Sequence, residues 1–583
     1  MSYLQIWRRY LTAHWPKVAL LAISLFSGIF LQLYAPQIVR TFIDAAASGA
    51  AVAELVRLAL AFLAVALVNQ LLAALSTYLS ADVGWSATNA LRTDLFRHAL
   101  SLDMAYHKER TPGELIERID GDATHLSNFF SQFVVRVAGS LLLVVGILGL
   151  LWWEDWRVGL ALTVYVVVVT ALLHKRRGVA VPATQMEREA NAQLYGFIEE
   201  RLAGIDDIRA SGAGRYVMHR FLKVQRDWFH KTVRAWRLRV GIWLLMMSLS
   251  IVGHVLALGL GVGLFLSGAI TLGTVYLIYN YMNLLEDPLD ELSRQLQEFQ
   301  RAAAGFRRVR ELLAERPRIV GGSRALGPGA PAVEFENVSF AYDGDHYVLK
   351  GISFRLEAGE SLGLLGRTGG GKTTLIRLLY RFYDPSVGRI LVDGVDLREF
   401  DLKSYRARIG LVTQEVQLFE GTVRDNLTFF DPSITDERLY ETFAKLGLES
   451  WLASLPAGLD TPLTAGGSGL SAGESQLLAF ARVFLQDPGV VILDEPSARL
   501  DPATEALLTR AIERLLKGRT AIVIAHRLAT VQRLDKIMVL SQGRIAEFGD
   551  RRALAADPSS LYSAMLALSA DGPPESALEA VNR

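Results

Sequence analysis

Long apolar runs recur through the first half of the chain and stop near its middle. They cover about Val18 to Val39, Leu55 to Leu79, Phe133 to Trp153, Val158 to Leu173, Val240 to Leu266 and Leu272 to Leu285. Most can cross a hydrocarbon core of about 30 Å as a helix of about 20 residues; the fourth and sixth are shorter. A buried helix in a large soluble protein would explain one such run but not a series, so six transmembrane helices are predicted. The first run is too long for a cleaved signal peptide and more spans follow it. Arg8, Arg9 and Lys17 precede it, which places the N-terminus in the cytoplasm.

The links between runs alternate in character. Those between runs one and two, three and four, and five and six are short and carry few cations. Those between two and three, and between four and five, are long and basic, the latter with Lys175, Arg176, Arg177, Arg201, Arg209, Arg215, Arg220, Lys223 and Arg226. The positive-inside rule puts both long links in the cytoplasm, as helices reaching well beyond the bilayer. Trp152, Trp153 and Trp156 fall at the opposite interface, where amphipathic rings settle. The polar residues within the runs include Gln32, Asn69, Gln70, His254, Asn280 and Asn283. Such groups turn toward the bundle interior, as substrate contacts or as interhelical hydrogen bonds. The runs place no acid or base at a span centre, so a largely apolar cavity is expected. From Gly321 to Pro331 the chain is rich in Gly and Pro without periodicity, and the composition then becomes that of a soluble α/β domain. The predicted division is 1–315 membrane domain with its cytoplasmic helices, 316–332 linker and 333–583 soluble domain.

Composition sharpens this picture in two places. The 583 residues are 51% hydrophobic and 21% charged, which is reconciled only if the two kinds are segregated along the chain, as they are. Net charge is +1, so no basic footprint for nucleic acid is present. The absence of cysteine excludes disulfides, thiol nucleophiles and thiolate metal sites.

The chemistry lies in the second half. Gly366, Arg367, Thr368, Gly369, Gly370, Gly371, Lys372 and Thr373 fit G-x-x-x-x-G-K-[ST]. They follow an apolar run, Ser361 to Leu365, and open a helical pattern at Thr374, the strand–loop–helix setting of a P-loop. Its glycines let backbone N–H groups turn onto phosphates at the positive end of a helix. Lys372 would reach the β- and γ-phosphates of ATP, and the Thr373 hydroxyl would ligate Mg²⁺. Further on, Val490 to Leu493 is a buried strand ending in Asp494 and Glu495. Asp494 suits the holding of Mg²⁺, and Glu495 the polarising of an attacking water.

With these residues in hand the soluble half resembles the nucleotide-binding domain of ATP-binding cassette transporters, and the whole chain resembles their exporter half-transporters. The resemblance implies further roles. Tyr342 would stack on adenine. Gln414 would join Mg²⁺ and water to the membrane domain. Leu470, Ser471, Ala472, Gly473 and Glu474 would form the signature that closes over a partner's ATP. Asp501 would end the D-loop, and His526 would be the switch histidine on the γ-phosphate. In the membrane half, the stretch from Pro112, Gly113 and Glu114 to Asp120 and Asp122 resembles the pattern after a first coupling helix, and Gly204 to Ala210 resembles a second.

A single cassette implies a dimer in which each ATP lies between one chain's P-loop and the other's signature. Closure on ATP would swing the bundle outward and hydrolysis would reset it. Three positions depart from the family pattern: LSAGE replaces the usual LSGGQ, Arg499 enters the D-loop, and Ala465 stands where exporters often carry Glu. Ala472 adds a methyl near phosphate and Glu474 a negative charge near an anion. With the chain's own P-loop, Asp494, Glu495, Gln414 and His526 intact, two readings stand. One is a heterodimeric exporter with unequal ATP sites, this chain supplying the hydrolytic residues. The other is a homodimer with LSAGE as a working signature. A different class, a non-transporting ATP-gated regulator of a partner membrane protein, is disfavoured by Glu495. The implied place is the cell membrane, multi-pass, with both termini and the soluble domain cytoplasmic. The implied substrates are hydrophobic or amphipathic drugs, lipids or peptides.

Overall fold

A computed structural model describes residues 12–128, 134–344, 346–464, 469–494, 502–525 and 528–571. It divides into two compact units, residues 1–100 with 112–315 and residues 101–111 with 316–583.

The first unit is helical. Its long helices are α1 (Trp15–Ala47) and α2 (Val52–Ser101), after which the short α3 (Met104–Glu109) and α4 (Asp122–Asn128) lead into α5 (Val134–Glu154). Then come α6 (Trp156–Ala203), the short α7 (Ile205–Ala210), α8 (Gly214–Leu266) and α9 (Leu272–Ala314). The 50, 48 and 53 residues of α2, α6 and α8 exceed what a bilayer requires by more than half, because the charged repeats of the long links carry on the helical pattern of the apolar runs. In α1, α2, α5 and α8 the apolar windows are long enough to span, yet at most 22% of any window is buried within the chain. Leu60, Leu63, Leu67 and Leu71 of α2 point outward. Water would not tolerate so large an apolar surface; hydrocarbon does.

The core of this unit lies between α5, α6, α8 and α9, where Ile147, Leu151, Leu162, Ile278 and Leu285 are buried. Small residues set the helix spacing: a Cβ at Gly253 would stand 2.3 Å from Met282 Cε and 2.7 Å from Tyr165 Cζ, the close approach that drives helix association in lipid. Asp122, fully buried, receives two N–H groups from Arg308 and ties α4 to α9. Next to it the chain forms one π-helical turn over Glu117–Gly121. The sixth apolar run ends at Leu285 in composition only. Helix α9 continues through Glu286, Asp287 and the internal Pro288, so the helix outlasts its apolar run.

Among the described residues the second unit holds twelve strands: β1 (Val333–Ala341), β2 (Tyr347–Leu356), β3 (Ser361–Gly366), β4 (Val387–Val392), β5 (Val395–Asp396), β6 (Ile409–Val412), β7 (Gly421–Thr422), β8 (Pro462–Leu463), β9 (Val490–Asp494), β10 (Thr520–Ile524), β11 (Lys536–Ser541) and β12 (Arg544–Asp550). Strands β2, β1, β4 and β5 make an antiparallel sheet, and β12, β11, β3, β10, β9 and β6 a larger one whose inner pairs are parallel. Parallel strands are covered on both faces and so are continuously apolar; Val490 to Leu493 and Ala521 to Ile524 are all fully buried. The segment predicted as a linker is docked on this unit: Gly322 N–H donates to the Phe400 carbonyl, Arg381 to that of Val320, and Thr520 to that of Pro331. Helix α3 also belongs here, since the Asp103 carboxylate that precedes it accepts from the backbone N–H groups of Arg318 and Ile319.

Candidate nucleotide site

Parallel strands deliver their carboxyl ends to one edge of a sheet. Pairing of β3 with β10, β10 with β9 and β9 with β6 sets Leu364 against Ile524, Ile524 against Asp494, and Leu493 against Val412. The P-loop after β3, Asp494 at the end of β9 and Gln414 two residues past β6 therefore share that edge. Glu495, Asp501 and His526 fall outside the described residues, as do Ala465 and Arg499.

The P-loop bends because its glycines allow it. Gly366 has φ 138°, and a Cβ there would stand 2.2 Å from the Leu540 carbonyl oxygen. Gly371, at φ 103°, begins α10 (Lys372–Leu379), and a Cβ would meet the Leu349 side chain at 2.7 Å. Lys372 is folded over the loop, its Nζ donating to the carbonyls of Gly366 at 2.6 Å and Arg367 at 3.0 Å. Thr373 is exposed at the helix start, while Thr374 is buried and lies 3.2 Å from the Tyr342 hydroxyl. Arg377 donates to that same hydroxyl, and Phe340 and Tyr383 pack about the Tyr342 ring edge-to-face. Lys108 of α3 lies over the ring, 4.1 Å from its centre. Sequence reading missed Lys108; its position just before Pro112 and Gly113 was the available signal.

Past α11 (Asp436–Leu446), the signature opens a different helix, α12 (Ala472–Gln486). Ser471 is its N-cap, and Leu470 packs against the core. Ser471 and Ala472 are exposed and Gly473 is buried. Glu474 bends back: one carboxylate oxygen accepts the Ser471 N–H at 2.8 Å, and the other accepts from Trp451 Nε1 at 3.2 Å. That is a capping box, a use that Glu and Gln serve alike. A groove of about 530 Å³ lies nearby, lined by Gln417, Phe419, Phe429, Arg438 and Arg482 among others. Burial pushes the Arg482 guanidinium down to about 10, still charged at neutral pH. It donates to the Asn426 and Gln417 carbonyls and to Asn426 Oδ1, and lies over the Phe429 ring.

Comparison with known proteins settles the family. The ABC transporter transmembrane region family matches residues 18–289 and the ABC transporter family matches residues 349–498. The chain is 31% identical to an uncharacterised ABC transporter ATP-binding protein of Bacillus subtilis, over 91% of this chain and 88% of that one. It belongs to the ABC transporters. An ATP-dependent lipid A-core flippase of Alcanivorax borkumensis is 30% identical over 83% of this chain and 84% of its own. Among solved structures, a bacterial Atm1-family ABC exporter with ATP bound superposes with a TM-score of 0.77 at 26% identity, covering 95% of this chain and 98% of that one. The chain thus joins a membrane helical domain to an ATP-binding domain, and is a multi-pass membrane protein of the exporter kind.

Proposed function

We propose that this chain is half of a dimeric exporter that hydrolyses ATP to move a hydrophobic or amphipathic substrate out of the cytoplasm by alternating access. The observation that carries the reading is the gathering of the P-loop, Asp494 and Gln414 at one sheet edge, in a domain fused to a bundle with an outward apolar surface. Nucleotide phosphates would take Lys372 Nζ from the Gly366 and Arg367 carbonyls, and Tyr342 would receive the adenine. Thr373, Gln414 and Asp494 offer only oxygen donors, which suits a hard cation, and Mg²⁺ held there would neutralise phosphate charge. Glu495 would accept a proton from the attacking water while His526 holds the γ-phosphate.

The partner's Leu470-to-Glu474 signature and Asp501 loop, or their counterparts, would close over this ATP. Helix α7 buries none of its own residues. A helix of that kind from the partner suits the groove beside Arg482, which would carry closure to the bundle as a rigid linkage. The exposed Ala472 methyl and the altered D-loop support a heterodimer in which this chain supplies the hydrolytic residues. One observation favours the second reading, two copies of this chain: Glu474 is spent on the capping box and need not face the phosphates. Orientation follows the basic links, with both termini cytoplasmic.

ATP-dependent uptake of a lipophilic fluorescent dye into inside-out vesicles tests the export reading. Uptake is expected with the native chain, with its partner where one is needed, and not with Lys372→Ala. Equal uptake without ATP or in the variant would sink it.

A further inference from the structure

The Tyr342 ring and the P-loop come from different sheets. Tyr342 follows β1 of the antiparallel sheet, whereas the P-loop follows β3 of the larger one. A nucleotide that lays its base on the ring and its phosphates in the loop needs the two at a fixed separation. Helix α10 supplies the tie. It begins in the P-loop at Lys372, and its first two turns present Thr374 and Arg377, three residues apart and therefore on one side. Both reach the Tyr342 hydroxyl: Thr374 Oγ1 lies 3.2 Å from it, and Arg377 Nη1 donates to it at 3.2 Å. Thr374 is buried and Arg377 half-buried.

Elsewhere the ring is held only by its neighbours' rings. Phe340 packs 4.9 Å from its centre at 83°, and Tyr383 5.2 Å from it at 89°. Phe340 and Tyr383 also touch each other, at 5.6 Å. Contacts of this kind limit the volume open to the ring but tolerate a range of tilts. A hydrogen bond at the far end of the side chain removes that range. The Thr374 hydroxyl is the weaker holder, since a threonine in a helix can turn to a backbone carbonyl instead. Arg377 spends its guanidinium here: the bond to Tyr342 is the one its side chain makes among the described residues.

We propose that Arg377 is a positioning residue for the nucleotide: by holding the Tyr342 hydroxyl it sets the aromatic platform at the distance from the P-loop that ATP requires. This rests on the reading that adenine stacks on Tyr342. Arg377 touches no reacting atom, so its effect falls on the binding of ATP and not on its cleavage.

ATPase kinetics of the full-length dimer in lipid nanodiscs test the assignment. Arg377→Met is expected to raise KM for ATP about fivefold, the loss that follows from freeing one ordered side chain. Its kcat should stay within about twofold of native, because the transition-state contacts are untouched. Arg377→Lys, which can still donate to the hydroxyl, should keep KM within about twofold of native. Tyr342→Phe removes the same bond from the other side, so its KM should rise at least as far. Arg377→Met added to Tyr342→Phe should then raise it no further. An unchanged KM in Arg377→Met overturns the assignment, as does a fall in kcat alone or a further rise in the double variant. If Arg377→Met is not recovered as a dimer, Arg377→Gln, whose head is too short to reach the hydroxyl, is read by the same outcomes. Tyr342→Ala separates this inference from the reading beneath it. An unchanged KM there removes the adenine seat and this assignment with it. A raised KM there, with Arg377→Met at the native value, removes the role of Arg377 alone. No turnover in the native dimer removes the exporter itself.

Discussion

Glu474 shows how a departure from a motif can be absorbed by local structure. Its carboxylate satisfies the Ser471 N–H at the head of α12 and the Trp451 indole, so truncation leaves two donors unpaired. Glu474→Ala should lower unfolding stability of the soluble unit by about 1 kcal/mol, while Glu474→Gln, which can make the same bonds, should leave the thermal midpoint within a degree or two of native. A large loss in the Gln variant would mean that the charge itself holds the helix start. Tyr342 carries a second test at this scale. Lys108 lies over its ring, the surface adenine would use, so Lys108→Met removes a cation–π contact of about 0.5–1 kcal/mol and should tighten ATP binding a few-fold by fluorescence titration. Weaker binding would mean that Lys108 helps to hold the nucleotide. The P-loop residues were legible because their chemistry is written in consecutive positions. The capping box was legible too, since Ser471 and Glu474 stand three residues apart; the Trp451 bond of Glu474 and the seat of Lys108 over Tyr342 were not, since each partner lies far away in the chain.

At the scale of elements, two arginine contacts fix segments with little core of their own. Asp122 and Arg308 join α4 and the adjoining π-helical turn to α9, and the hydrogen bond that Arg308 donates to Asp122 pushes the Arg308 pKa above its ordinary value. Because Arg308 is partly exposed, Asp122→Asn should cost about 2 kcal/mol, less than breaking a fully buried pair; thermal unfolding in detergent reads it. Arg482 pins Gln417 and Asn426 to α12, so Arg482→Met would strand the oxygens of both and should destabilise the soluble unit by about 2–3 kcal/mol. No change in either variant would show these contacts to be incidental. The long helices could be read from the apolar runs and the basic repeats that follow them. The continuation of α9 through Glu286 could not, because hydropathy falls where the helix does not.

For the whole molecule, the sequence divides an apolar half from a nucleotide-binding half, and the fold keeps that division except at α3, which leaves the first half to join the second unit. Assembly into a dimer leaves no trace that a single chain's periodicity could reveal; it is implied only by one cassette facing chemistry that needs a signature from elsewhere. The most direct test of ATP-driven transport is ATPase turnover of the purified dimer in lipid nanodiscs, native against Glu495→Gln. We expect the variant to bind ATP and lose at least about a hundredfold in turnover, the usual contribution of a positioned base. Turnover that survives the substitution in every copy of this chain would contradict the assignment of hydrolysis to it.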